Sequence, residues 1–310
     1  MWQRADVKPD GRSRVLRVDP TSALCYYHAV QTPQHPWLFP VVAALFGAVF
    51  GSFLNVVIHR LPAGESLAFP GSHCPRCGAP IRARDNIPVL GWIALGGRCR
   101  DCREPIAVRY PLVELANALL WAALALRFGF GFPFFAFAAY CSALLAITLI
   151  DVDHWIIPDA ITLPGTVAGL VASLFLPPRG SLLADLLHRR LGLDRLPGFL
   201  ASPGFWDSLA ALLIGGGFFY LVAVLSRGGM GGGDIKLTAM MGAFLGLRDL
   251  GVAVFIGLLA GSAVGIALMI AGRKTRKDLI PFGPFLALGG VCAVFWGRPL
   301  VEWYLRLQGY

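Results

Sequence analysis

Two aspartates far apart in the chain stand where hydrolytic chemistry could be done. Asp151 lies in Ile150–Asp159, IDVDHWIIPD, at the end of a run that carries no charge from Gly131 to Ile150. Asp234 lies in Gly229–Lys236, GMGGGDIK, between two further apolar runs. An ionised carboxylate at the edge of hydrocarbon is costly unless it faces a partner or a wet cavity, so each is a candidate functional group. Held a few ångströms apart, two carboxylates share one proton, because like charges that close do not both ionise. The ionised member can then take a proton from water while the protonated member donates to a carbonyl oxygen. Such a pair cleaves an amide with neither a metal nor a nucleophilic side chain.

The groups around them have blander readings. Asp159 follows Pro158 and reads as a helix N-cap. Asp153 and His154 read as solvated interfacial residues, and Asp234 could simply pair with Lys236. Asp151 sits deepest, which leaves it the least compatible with solvation. Gly231-Gly232-Gly233 would cost about 1 kcal/mol per residue against alanine in a helix. The gain is a tight backbone past which another segment can run close to Asp234.

A second constellation is Cys74-Pro-Arg-Cys77 and Cys99-Arg-Asp-Cys102. Each CxxC can place two thiolates on one turn, and two such turns complete a tetrahedral four-sulfur shell for Zn²⁺. A redox dithiol or empty thiols are the other readings. A closed four-thiolate shell has no open position, so this metal would be structural. Cys25, Cys141 and Cys292 are scattered, so a disulfide framework is not expected.

The elements that must position these groups are membrane helices. Of 310 residues, 56% are hydrophobic and 15% charged, against about 25% charged in soluble domains. Uncharged or nearly uncharged runs occur at Trp37–Ile58, Pro111–Leu126, Gly131–Ile150, Ala160–Leu176, Phe205–Leu225, Leu237–Leu247, Gly251–Gly272 and Pro281–Trp296. The expected fold is an all-α polytopic membrane protein with about eight transmembrane helices, the sixth short, and a cysteine-rich insert. The expected divisions are a polar tail (1–36), a first helix (37–58), a zinc-binding insert (59–110), the protease bundle (111–297) and a C-terminal tail (298–310). Gly51, Ser52 and Asn55 on the first helix, and Gly215-Gly216-Gly217 later, read as packing faces. No cleavable signal peptide is expected.

The formal charge of +9 does not imply nucleic acid, because Lys and Arg sit in loops where they set topology and meet anionic lipid. Eight arginines in and beside the insert place it in the cytoplasm by the positive-inside rule. Alternation then brings Asp151, the Gly229–Asp234 turn and Arg273–Lys277 to that same side. The arginines of the Pro177–Ser208 loop fall on the opposite side and argue mildly against this frame.

With these blocks in order, the chain resembles the type IV prepilin peptidases, which also serve type II secretion. The resemblance rests on GSFLNVVIHRLP (Gly51–Pro62), the paired CxxC insert with Asn86-Ile87-Pro88, RYPLVE (Arg109–Glu114), IDVDHWIIPD, GMGGGDIKLTAMMGAFLG and PFGPFLA (Pro281–Ala287). The GxGD signature alone is shared with other intramembrane proteases; the six blocks together are specific. The resemblance implies cleavage of the basic leader of prepilins and pseudopilins, then methylation of the new N-terminus with S-adenosylmethionine. It implies Asp151 and Asp234 as the catalytic pair, Cys74, Cys77, Cys99 and Cys102 as a cysteine tetrad, and a bacterial inner membrane location. No residue is read as binding the methyl donor. A GxGD protease without methyl transfer, a carboxylate-based proton or cation transporter and a zinc-dependent scaffold are the rival readings.

Overall fold

In the computed structural model the described residues are 36–177, 202–226, 231–275, 278 and 280–308. The tail, most of the Pro177–Ser208 loop with its arginines, Arg227, Gly229, Met230, Arg276 and Lys277 lie outside them. Two units divide at Leu38, and the packing described below lies in the second, Phe39–Tyr310.

Among the described residues the regular structure is helical. The elements are α1 (Leu38–Arg60), a short 3₁₀ turn (Ala83–Asp85), α2 (Leu90–Ala94), α3 (Arg109–Phe128), α4 (Phe132–His154), α5 (Asp159–Ser173), α6 (Pro203–Leu225), α7 (Gly232–Ile270) and α8 (Gly283–Leu307). Six of these (α1, α3, α4, α6, α7 and α8) are long and apolar enough to cross a membrane. At 15 residues, α5 spans only about 22 Å, short of a ~30 Å hydrocarbon core.

The two segments expected at Leu237–Leu247 and Gly251–Gly272 are present as two helices within the span Gly232–Ile270, parted at Gly246 (φ 74°, ψ 173°). The break removes helical hydrogen bonding, and the Leu247 N–H freed there donates to Asp207 Oδ1 of α6 at 3.3 Å. A side chain at 246 would be strained at that φ and would collide with the Asp207 carboxylate. Arg248 and Asp249, which interrupt the apolar pattern, follow directly on that break.

The buried core is built from α4 (Phe137, Tyr140, Leu144, Ile147), α7 (Leu237, Met240, Met241) and α8 (Leu286). α7 is the hub, packed by α5, α6 and α8. Small residues permit that closeness: Gly242 abuts the Ala211 backbone, Gly215 faces Leu250 and Thr238, and Gly257 faces the Leu286 backbone. The first helix packs as expected, since Gly51 meets Glu114 and Asn55 Nδ2 donates to the Tyr110 carbonyl at 3.1 Å. A buried polar chain ties α1, α3 and α4. Asn117 Nδ2 donates to the Gly47 carbonyl at 2.7 Å, Ser142 Oγ donates to Asn117 Oδ1 at 2.8 Å, and Trp121 Nε1 donates to Ser142 Oγ at 2.9 Å. Outward faces carry exposed Leu, Val and Phe along every long helix, which is an inside-out pattern suited to lipid.

Candidate active site and metal centre

Asp151 closes α4 and Asp234 opens α7, and both are buried, at 6% and 8% exposed. Each carboxylate is met by a backbone N–H. Gly283, the first residue of α8, donates to Asp151. Its N–H is one of the unsatisfied donors of a helix start, and Pro284 beside it has none. Gly231 donates to Asp234, whose own N–H returns to the Gly231 carbonyl at 3.2 Å.

The two aspartates are brought together by Ile157, in the α4–α5 connection. A Cβ on Gly283 would lie 2.6 Å from Asp151 Oδ2 and 3.2 Å from Ile157 Cδ1. A Cβ on Gly233, beside Asp234, would lie 2.8 Å from Ile157 Cβ. Both glycines therefore close on one side chain. The glycines of the α7 entry permit the close approach the sequence suggested: Gly233 touches Ile157, while Gly232 has open space and Gly231 has only Asp234 nearby.

Three neighbouring groups differ from their sequence readings. Asp159 is the first residue of α5 and caps nothing through its side chain. It accepts Lys236 Nζ at 2.7 Å on both oxygens, so Lys236 is not the partner of Asp234. Asp153 is not simply solvated, since it forms an ion pair with Arg109, which also donates to the Leu149 carbonyl at 3.4 Å. These two bridges pin α5 to α7 and α3 to α4 beside the aspartates. Neither was legible in the sequence, because each joins residues distant in the chain. Lys274 lies 6.0 Å over the Trp155 ring, which puts the α7–α8 loop at the same end. Trp155 itself ends α4 in a left-handed conformation (φ 58°). His154 ends that helix exposed.

The four cysteines converge. Their Sγ atoms all lie within 4.8 Å of one another, and all four thiols are free. Cys74 and Cys102 Sγ are 3.8 Å apart. A tetrahedron with metal–sulfur bonds of ~2.3 Å has edges of about 3.8 Å, whereas a disulfide needs ~2.05 Å. The donor set therefore fits one tetrahedral metal ion. The two turns repeat one design: Cys74 N–H donates to the Ala79 carbonyl at 2.9 Å, and Cys99 N–H to the Glu104 carbonyl at 2.8 Å. Arg103 (φ 61°) occupies the place in the second turn that Gly78 (φ 70°) holds in the first. The backbone N–H groups of Cys77 and Arg76 draw the Cys74 thiol down to about 7, which favours the thiolate a metal needs.

Comparison with known proteins gives the family. The profile of the Bacterial Peptidase A24 N-terminal domain matches residues 45–128, and that of the Type IV leader peptidase family matches 138–266. A prepilin leader peptidase/N-methyltransferase of Pseudomonas aeruginosa is 36% identical over 299 residues, 89% of this chain and 97% of that protein. One from Aeromonas hydrophila is 36% identical over 87% of this chain and 95% of its own length. One from Burkholderia pseudomallei is 38% identical over 86% and 87%. No solved structure matches. The chain is a multi-pass membrane peptidase by family and by its membrane-spanning helices. The chain belongs to the type IV leader peptidase family.

Proposed function

We propose that this chain is a bifunctional membrane enzyme. It cleaves the basic leader from type IV prepilins and type II secretion pseudopilins, then N-methylates the exposed residue. The observation that carries the reading is the meeting of Asp151 and Asp234, both buried, around Ile157. One aspartate is ionised and the other protonated. The ionised carboxylate takes a proton from water as its oxygen attacks the scissile carbonyl. The protonated one donates to the carbonyl oxygen. On collapse the amide C–N bond breaks, and a proton passes to the leaving amine. The Gly283 and Gly231 N–H groups fix the carboxylates, and the open space at Gly232 leaves room for an extended chain.

Cys74, Cys77, Cys99 and Cys102 would hold one Zn²⁺ as a structural crosslink of the insert. S-adenosylmethionine would supply the methyl group, and no side chain is assigned to holding it. The arginine-rich insert and the aspartates face the cytoplasm from the bacterial inner membrane, and prepilins approach from that side. The divisions 1–36, 37–58, 59–110, 111–297 and 298–310 follow this assignment.

The test supplies membranes with a prepilin, or a pre-cut pilin peptide, and labelled S-adenosylmethionine. Asp151→Asn and Asp234→Asn should each lower cleavage by about three orders of magnitude or more, while the pre-cut peptide is still methylated. Wild-type cleavage should follow a bell-shaped pH profile that belongs to the pair. Near-normal cleavage by either variant defeats the assignment. Cleavage without label transfer to any substrate leaves a protease alone.

A further inference from the structure

The cysteine insert is joined to the membrane bundle at a defined depth. Glu114 Oε2 accepts the Val89 N–H at 2.7 Å, and Glu114 is buried on α3, five residues past its first residue Arg109. At 1.5 Å per residue its Cα lies about 7.5 Å inside the helix, and its side chain leans back toward the helix start. Val89 is therefore level with the first turn of α3. Arg109 in that turn bonds the end of α4, so this level is the border of the apolar bundle.

Val89 has φ 62° and ψ −51°, a conformation that β-branched residues rarely adopt. The turn directs α2 outward. Gly91 packs on the Asp85 carbonyl, and Trp92 Nε1 donates to the Ile106 carbonyl at 3.0 Å. Leu90 and Ile93 are left 63% and 60% exposed. α3 presents Leu112, Leu115 and Leu119, also exposed. Arg98 and Arg103 are exposed near the same segment in sequence, and among the described residues neither has an ion-pair partner.

We propose that Asn86–Leu95 is a membrane-interface anchor, with Leu90 and Ile93 inserted at the boundary between acyl chains and headgroups of the active-site leaflet. Arg98 and Arg103 meet anionic headgroups. Lipid is the occupant because the apolar pair lies at the bundle border, where the exposed leucines of α3 also begin. A few side chains also fall far short of the ~1,000 Å² of a stable protein interface. Asp85 accepts Arg100 Nε and Nη2 at 2.7 and 2.5 Å, so the anchor is tied directly to the second cysteine turn.

The test uses the metal-loaded wild-type chain in phosphatidylethanolamine/phosphatidylglycerol vesicles doped with a lipid bearing a photoreactive group on its acyl chain. Label should reach Leu90 and Ile93 at yields of the same order as Leu112, Leu115 and Leu119, and about tenfold above residues 72–80 and 98–105. In Leu90→Asp/Ile93→Asp, with metal content unchanged, label should disappear from that segment and persist on α3. Equal labelling of the segment and the cysteine turns in the wild type, or no label on the segment while α3 is labelled, overturns the proposal.

Discussion

At the scale of single residues, the candidate active site depends on two missing Cβ atoms and one surface ion pair. Gly283 and Gly233 both close on Ile157. Gly283→Ala would push a methyl group to 2.6 Å from Asp151 Oδ2, an overpacking that costs about 1–3 kcal/mol. We expect a loss of cleavage much larger than the loss of stability, because the displaced atom is the proposed catalytic oxygen. Gly217→Ala, which meets open space, should leave kcat unchanged. Lys236 and Asp159 are half-exposed, at 42% and 54% of their side chains, so their bridge adds only about 0–1 kcal/mol to stability. It nevertheless fixes the first turn of α7 against α5. Lys236→Ala should lower kcat about tenfold, equivalent to ~1.4 kcal/mol in the transition state, with substrate KM little changed. Lys236→Arg should restore much of it. A fall in KM-dependent binding alone would contradict a positioning role.

At the scale of elements, the two cysteine turns face one another, and Arg76 pairs with Glu104 across them at 3.3 Å. Metal analysis of the purified chain should give about one ion per chain, and Cys74→Ser or Cys99→Ser should lose it. Protons compete with metal for thiolate, so the sign of the pH dependence follows from Cys74. Its thiol is lowered from 9.0 to about 7; the thiolate is favoured above that value and is lost as pH falls through it. Metal affinity, measured by competition with a chelator, should therefore fall as pH falls, and Cys102, pushed up to about 12, extends that competition above pH 7. A flat profile between pH 8 and 6 would show that thiolates do not hold the ion. α7 agrees with its hydropathy, since its two apolar halves are two helices parted at Gly246. Gly246 tolerates the left-handed φ, and Asp207 of a neighbouring helix accepts the freed N–H.

At the scale of the molecule, one end of the bundle gathers the chemistry. The bridge from Arg109 to Asp153, the Lys236–Asp159 pair and Lys274 over Trp155 place the insert exit, both aspartates and the α7–α8 loop together. The Gly129–Gly131 turn between α3 and α4 lies at the other end of those helices. Compartment-specific reporters inserted at Gly129 and at Gly272 should therefore report opposite sides of the membrane, with Gly272 cytoplasmic. Reporting from the same side would refute the topology.

Much of this was legible in the residues themselves. Long uncharged runs demand helices, because a lipid-exposed backbone must satisfy its own hydrogen bonds. Two CxxC pairs and two border aspartates were visible because chemistry of that kind costs too much in such places to be incidental. The tertiary structure decided what depends on distance across the chain. It made Asp159 a partner of Lys236 where the sequence suggested a cap, gave Asp153 to Arg109, and set Gly283, quoted only as part of a motif, to donate to Asp151. It also buried Glu114 as the acceptor for Val89. Local pattern encodes which surfaces leave water, but which polar groups meet is fixed only when helices pack, since a buried donor must take whatever acceptor the packing brings within reach.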